Sequence, residues 1–283
     1  MTVDDYPRDP QTRRVVLGLE KKAVRHASRL IFTARSTMEM YLRRYPELSP
    51  EKCLVISNGY DEEDFANLPV AASQRVDGPL RIHHSGLIYP EERNPAPFFT
   101  ALARLKKEKL IDSSRISVDL RAAGNESQYA EIVRQLEIED LVHFLPPLPY
   151  KEALEHSNQA DILLLLQGAC CDHQIPAKAY EYLRLRKPIL ALTSRTGDTA
   201  ALLNECGGTT IVDIADQDEI YRTLPKILNA VRAGTHPLPI AEVVSRYSRQ
   251  NQARELAACL YAVLGSGSIG GLISSPKRST AGS

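Results

Sequence analysis

Lys178 and Glu181 stand one helical turn apart in "IPAKAYEYLRLRKPILAL", residues 175–192. The i, i+3 spacing puts an ammonium, which can meet an anion, beside a carboxylate, which can accept from hydroxyls. Pro176 suits the first helical turn, where its missing N–H costs nothing, and Pro188 stops the helix before a short apolar run. By spacing alone the two are either a solvated ion pair or a pair facing a ligand. The preceding residues bear on that choice. "ADILLLLQ" (160–167) reads as a continuous apolar strand, and "GACCDHQIP" as the loop leaving its carboxyl end. A helix that starts there presents free N–H groups to an anion, and Lys178 adds a full charge.

Other loops carry further candidates. "LRIHHSG" (80–86) is a strand followed by "LIYPEERNPAP". Gly86 lets a ligand approach the backbone, and Arg93 offers a fork for phosphate. Gly124 closes the strand "ISVDLRAAG" (116–124) in a turn that is either a helix start or a ligand contact. His83 and His84 alternate across their strand, so one is expected in the core and one at the crevice. No second cluster of metal-ligand residues lies nearby, and no metal site is expected.

The elements that must position these residues alternate regularly. Strands at 80–86, 116–124, 142–147, 160–167, 188–193 and "TTIVDI" (209–214) are separated by helices at 95–109, 127–138, 150–159, 176–187 and 198–207. Two last helices are expected near 216–233 and 239–264. Apolar strands alternating with helices predict an α/β fold with a parallel sheet covered on both faces. Ligands in such sheets sit beyond the carboxyl ends of the strands. Residues 13–45 read as two helices around the brief strand "RLIFTA", and "KCLVIS" as a strand ending at the turn Asn58-Gly59.

The composition is that of a soluble globular chain, 43% apolar, with 35 basic and 35 acidic residues. That balance argues against nucleic acid as the main partner. Residues 13–45 hold Arg13, Arg14, Lys21, Lys22, Arg25, Arg29, Arg35, Arg43 and Arg44 against Glu20 and Glu39, a basic face that is either solvated or able to touch anionic lipid. Five cysteines without a C-x-x-C pair indicate a reducing compartment. "MTVDDYPRDPQTRR" lacks the apolar core of a signal peptide, and no apolar run is long enough to span a bilayer. A cytoplasmic protein is expected, at most peripheral at the inner face of the membrane.

"VISNGYDEEDF", "RIHHSGLIYPEERNP", "VHFLPPLPYKEAL", "ADILLLL" and "IPAKAYEYLRLRKPILAL" follow one another in the order seen in family 4 retaining glycosyltransferases, and the chain resembles that family over about residues 8–262. The resemblance implies a GT-B-type fold. One complete Rossmann-like, doubly wound C-terminal domain (80–236) would bind the nucleotide sugar, joined by a linker (67–79) to part of an acceptor-side N-terminal domain (1–66). A C-terminal helix (237–264) would return toward the N-terminal part, and the Gly/Ser-rich 265–283 would be a disordered tail. The implied activity is transfer of a sugar from a UDP- or GDP-linked donor to a glycan or lipid-linked acceptor, in surface polysaccharide biosynthesis, with no cofactor and no metal. By position, Glu181 resembles the glutamate that bonds the donor ribose. Lys178 and Arg93, with Gly86 and Gly124, fall at the diphosphate, and Phe144, Leu145 and Pro146 lie against the base. His173 occupies the place of the motif's first glutamate, which meets the transferred sugar, so His173 and Glu181 form the expected catalytic pair. Leu87 stands where many relatives place an arginine. Residues 1–66 would be only the last part of an N-terminal domain, and most of that domain, roughly 100 residues or more, is expected to be absent, to be supplied by a partner chain or lost. A non-catalytic nucleotide-sugar-binding or partner-binding remnant is the second reading. A nucleotide-sugar epimerase is the third, and acid/base carboxylates for it are not evident.

Overall fold

The computed structural model describes residues 9–69 and 78–265. Most of the expected linker and nearly all of the expected tail lie outside those residues. The chain runs through α1 (Pro10–His26), β1 (Leu30–Phe32), α2 (Arg35–Arg44) and β2 (Cys53–Val55). Next come β3 (Leu80–Ser85), α3 (Ala96–Lys107), β4 (Ile116–Arg121), α4 (Glu126–Gln135), β5 (Val142–Leu145), α5 (Tyr150–Asn158) and β6 (Ile162–Gln167). It ends with α6 (Ala177–Leu185), β7 (Ile189–Thr193), α7 (Asp198–Cys206), β8 (Thr209–Val212), α8 (Gln217–Arg232), α9 (Ala241–Val244) and α10 (Arg249–Val263).

Six strands form one parallel sheet in the order β5-β4-β3-β6-β7-β8. Helices cover both faces, which is why every residue of β6 is buried and its sequence does not alternate. One core gathers Ile82, Val118, Leu120, Leu164 and Leu166 beneath Phe98, Phe99 and Leu102 of α3 and Leu224 of α8. The opposite core holds Leu163, Leu165 and Ala191 against Tyr180 and Leu183 of α6 and Leu203 of α7. The chain leaves β3 for β4 on one side, and returns through β6 on the other. The strand order therefore reverses between β3 and β6, the place beyond whose strand ends sheets of this kind bind their ligands.

The N-terminal elements form a smaller unit. β1 and β2 pair in parallel, Leu30 opposite Cys53 and Phe32 opposite Val55. Val24, Tyr45 and Leu48 make its core. Glu20 of α1 accepts from Arg44, Tyr41 and Tyr45 and so ties the two helices together. A groove of about 560 Å³ runs between α1, β1 and α2, lined by Val16, Leu19, Leu30 and Phe32. Val15, Leu19 and Ile31 are exposed.

Two local expectations change. The helix expected over 239–264 is broken between α9 and α10, because Ser248 accepts from Asn251 N–H as an N-cap and its backbone bridges Tyr60. Arg249 N–H also donates to the Tyr60 carbonyl, 2.8 Å, joining this segment to the turn after β2. The helix carrying Lys178 begins at Ala177 with Pro176 as its cap, and ends three residues before Pro188, with Arg186 left-handed at φ 53°.

Candidate functional site

The crevice is built from four strand ends. The loop after β3 begins at Gly86, whose φ of +111° lies in the region that glycine alone enters freely. That loop curls back so that Arg93 Nη1 donates to the Leu87 carbonyl at 2.7 Å and its guanidinium stacks 5.3 Å from the Tyr89 ring centre. Gly168, which opens the loop after β6, donates its N–H to the Glu92 carbonyl at 2.5 Å, so the two loops are sewn together. Gln167, the last residue of β6, is buried and donates from Nε2 to the carbonyls of Cys171 and Gln174, 2.8 and 2.9 Å. These bonds fix the loop that delivers α6.

Lys178 of α6 reaches back over Gly86. A Cβ on residue 86 would stand 2.6 Å from Lys178 Nζ, so glycine is what leaves room for the ammonium. Lys178 makes no hydrogen bond or ion pair among the described residues. Burial first, and the like charge of Arg93 second, lower its pKa from 10.5 to about 8, with Glu181 opposing. An ammonium in this position, beside Arg93 and without an ion-pair partner among the described residues, can pair with an anion.

Glu181, one turn on, is half-buried. Its Oε1 accepts from the Tyr150 hydroxyl at 3.0 Å. Burial raises its pKa, while the Tyr150 bond and Lys178 pull it back. Its second oxygen is free to accept from a ligand hydroxyl. Gly124 follows β4 at φ +62°, and a Cβ there would stand 3.0 Å from Leu87 Cδ2. Phe144, at the end of β5, is half-buried and packs on the sheet core, whereas Pro146 is exposed and its carbonyl accepts from Arg121 at 2.7 Å.

His173 lies across from these groups, on the side of the small N-terminal unit. Its carbonyl accepts from Thr37 Oγ1 at 2.7 Å, and burial lowers the pKa of its ring. Next to it, Asp172 accepts from Ser194 Oγ at 2.8 Å, and its carbonyl accepts from Asp198 N–H. Asp198 in turn accepts from both the N–H and the hydroxyl of Ser36 at the start of α2, 3.1 and 2.5 Å. Gly86, Arg93, Lys178 and Glu181 are thus brought together, whereas His173 marks the seam between the two units.

The expectation for the two histidines is corrected. Both are buried. His84 Nδ1 contacts the Leu164 carbonyl at 2.9 Å and Nε2 the Gly86 carbonyl at 3.1 Å, which locks it beneath the crevice floor. His83 points to the other face of the sheet, where neither ring nitrogen has a partner and burial lowers its pKa to about 3. Sequence reasoning also missed Tyr150, Ser36, Thr37 and Asp198, which reach the site only through tertiary contact. Gln167 was missed as well, although its signal is local: a polar residue closing an all-apolar strand must find bonds when buried. Among the described residues no group of three or more His, Cys, Asp or Glu could hold a metal ion, and no helix is long and apolar enough to cross a membrane.

No family model matches the chain. A curated D-inositol 3-phosphate glycosyltransferase of Kineococcus radiotolerans is 26% identical over 215 residues, which cover 69% of this chain and 49% of that protein. The chain therefore spans about half the length of the curated relative it matches. Sucrose-phosphate synthase of Thermosynechococcus elongatus superposes with a TM-score of 0.62 at 15% identity, covering 94% of this chain and 65% of its own. HepE of Anabaena, solved in complex with UDP-glucose, superposes with a TM-score of 0.64 at 16% identity, covering 90% and 69%. At such identities the superpositions speak for the fold. The chain has the α/β architecture of GT-B glycosyltransferases, with a doubly wound six-stranded sheet joined to a smaller parallel piece.

Proposed function

We propose that the crevice binds a nucleoside diphosphate sugar, and that the chain is the donor-binding part of a retaining glycosyltransferase. The observation that carries this reading is the Lys178 ammonium held over Gly86 beside Arg93, one turn from Glu181, at the point where the strand order reverses. As the bond between sugar and diphosphate breaks, negative charge grows on the leaving phosphate. Lys178 and Arg93 stabilise that charge directly, with the first turn of α6 behind them. Glu181 accepts from the ribose hydroxyls, and the Phe144–Pro146 peptide faces the base. His173 contacts the transferred sugar from the seam. The UDP-glucose bound by HepE and the glycosyl transfer named for the curated relative support a donor of this class. The acceptor is a glycan or a lipid-linked sugar in surface polysaccharide synthesis, with the basic face of α1 next to an anionic membrane.

A second reading keeps the binding and drops the chemistry. His173 stands where the resemblance expects a glutamate, and Leu87 where it expects an arginine, which supports a module that holds the nucleotide sugar without turning it over. Calorimetric titration of the purified chain with UDP, GDP and ADP tests both readings. Binding of one diphosphate, weakened by more than about 1 kcal/mol in Glu181→Ala, is expected. No binding by a folded chain refutes the donor site. Release of diphosphate from the matching donor in the presence of an acceptor separates the enzyme from the silent module.

A further inference from the structure

Arg121 ends β4 and points to the face of the sheet covered by α5. The residue is 5% exposed. Among the described residues it has no carboxylate partner, since its neighbour Asp119 pairs with Arg81 at 3.5 Å. Its Nη1 donates to the Pro146 carbonyl at 2.7 Å. Its Nη2 lies 3.3 and 3.4 Å from the two ring nitrogens of His156 on α5, and its Nε is buried without a partner. A guanidinium buried without a counter-ion is costly, and an apolar side chain of similar length would pack there at less cost.

The sequence of the loop that Arg121 holds supplies the reason. "LPPLPY" runs from Leu145 to Tyr150, and three of its residues, Pro146, Pro147 and Pro149, have no N–H. Beyond the Leu145 carbonyl, which still accepts from Ala122 N–H, the backbone has few donors with which to continue a ladder. Its order depends on donors from elsewhere. Arg121 supplies one at the first proline after β5, braced by His156 from the helix that the loop leads into. The same loop ends at Tyr150, which reaches Glu181.

We infer that Arg121 is a positioning residue that fixes the Leu145–Pro149 peptide for recognition of the nucleobase, without itself touching the ligand. This rests on the donor-site reading above. It makes a prediction that general destabilisation does not, because the diphosphate is held by Lys178 on α6 and Arg93 in the loop after β3. A ligand with a base and a ligand without one should respond differently.

The test is calorimetric titration of the full chain and of Arg121→Met, Arg121→Lys and Lys178→Ala with UDP, GDP and inorganic pyrophosphate. Arg121→Met is expected to lose about tenfold in affinity for the preferred nucleoside diphosphate, the scale of a charged hydrogen bond, and to discriminate less between UDP and GDP. Its pyrophosphate affinity is expected to stay within about twofold, and Arg121→Lys is expected to recover part of the loss. Equal weakening for nucleotide and pyrophosphate, or no weakening of either, overturns the inference. Should Arg121→Met not fold, Arg121→Lys carries the test alone: a loss confined to the nucleotide supports it, and a uniform or absent loss overturns it. Unchanged pyrophosphate binding in Lys178→Ala would instead refute the donor site itself.

Discussion

Lys178 Nζ lies 2.6 Å from where a Cβ of residue 86 would be. The two positions are on different strand–helix units and 92 residues apart in the chain. The absence of a side chain at one is the condition for the charge at the other. Gly86→Ala must therefore displace the ammonium and also force alanine to φ +111°. We expect it to lower stability by about 1–3 kcal/mol and to abolish diphosphate binding. Thermal melting with and without UDP checks both. Retained binding would place the anion elsewhere.

The lowered pKa of Lys178 sets a pH dependence whose sign follows from linkage. The unfolded lysine keeps its proton to about 10.5, whereas the folded one releases it near 8. Between these values the unfolded chain binds more protons, so this group makes stability rise with pH across that window. Anion affinity moves the other way. UDP binding is expected to weaken as pH rises past about 8, toward the limit of about tenfold per pH unit for loss of one proton. Titrations between pH 7 and pH 9 should show this in the natural chain, and a flatter profile in Lys178→Ala. A profile that stays flat in the natural chain would mean that Lys178 does not touch the ligand.

Ser36 and Asp198 join the small N-terminal unit to the large domain. Ser36→Ala removes the hydroxyl bond and leaves the N–H bond. It is expected to lower stability by about 1 kcal/mol and to speed amide exchange in α2 with little change in α6. Exchange that rises equally in both helices would show that the two units open together.

Cysteine labelling tests the packing of the loop after β6. Burial pushes the thiols of Cys171 and Cys206 up to about 12, so neither supplies thiolate at neutral pH. Iodoacetamide at pH 7.5 is expected to modify Cys170 and Cys259 and to spare Cys171 and Cys206, as read by peptide mass spectrometry. Equal labelling of Cys170 and Cys171 would show that the loop is not held as Gln167 holds it.

The sheet was legible in the sequence because its signal is local. "ADILLLLQ" shows a strand buried on both faces within eight residues, and the intervening helices carry their apolar stripes at helical spacing. Gly86 was legible as the residue directly after a strand, and Lys178 and Glu181 as one face of the helix that the loop after β6 leads into. Tyr150 was not, since its link to Glu181 spans 31 residues and forms only when the fold brings the start of α5 to α6. His84 misled for a related reason. Strand alternation tells which face a side chain takes, but not that backbone carbonyls wait there to satisfy an imidazole. The break before α10 did leave a trace, Ser248 in a capping position, but the competing pairing with Tyr60 is visible only in three dimensions.

The pair β1–β2 has a consequence for how the molecule comes apart. Two parallel strands are too few to hold together in water without support. The core beneath them rests on three buried residues. Their persistence therefore derives from the seams to the large domain, at Ser36–Asp198, Thr37–His173 and Tyr60–Ser248. Denaturation should then proceed in two stages. The N-terminal elements would be released at low denaturant, while the six-stranded sheet keeps its anion seat until a second, steeper transition. A chain in that intermediate condition would still capture diphosphate but would have lost the wall opposite it, so that retention of ligand and enclosure of ligand become separable properties of one polypeptide.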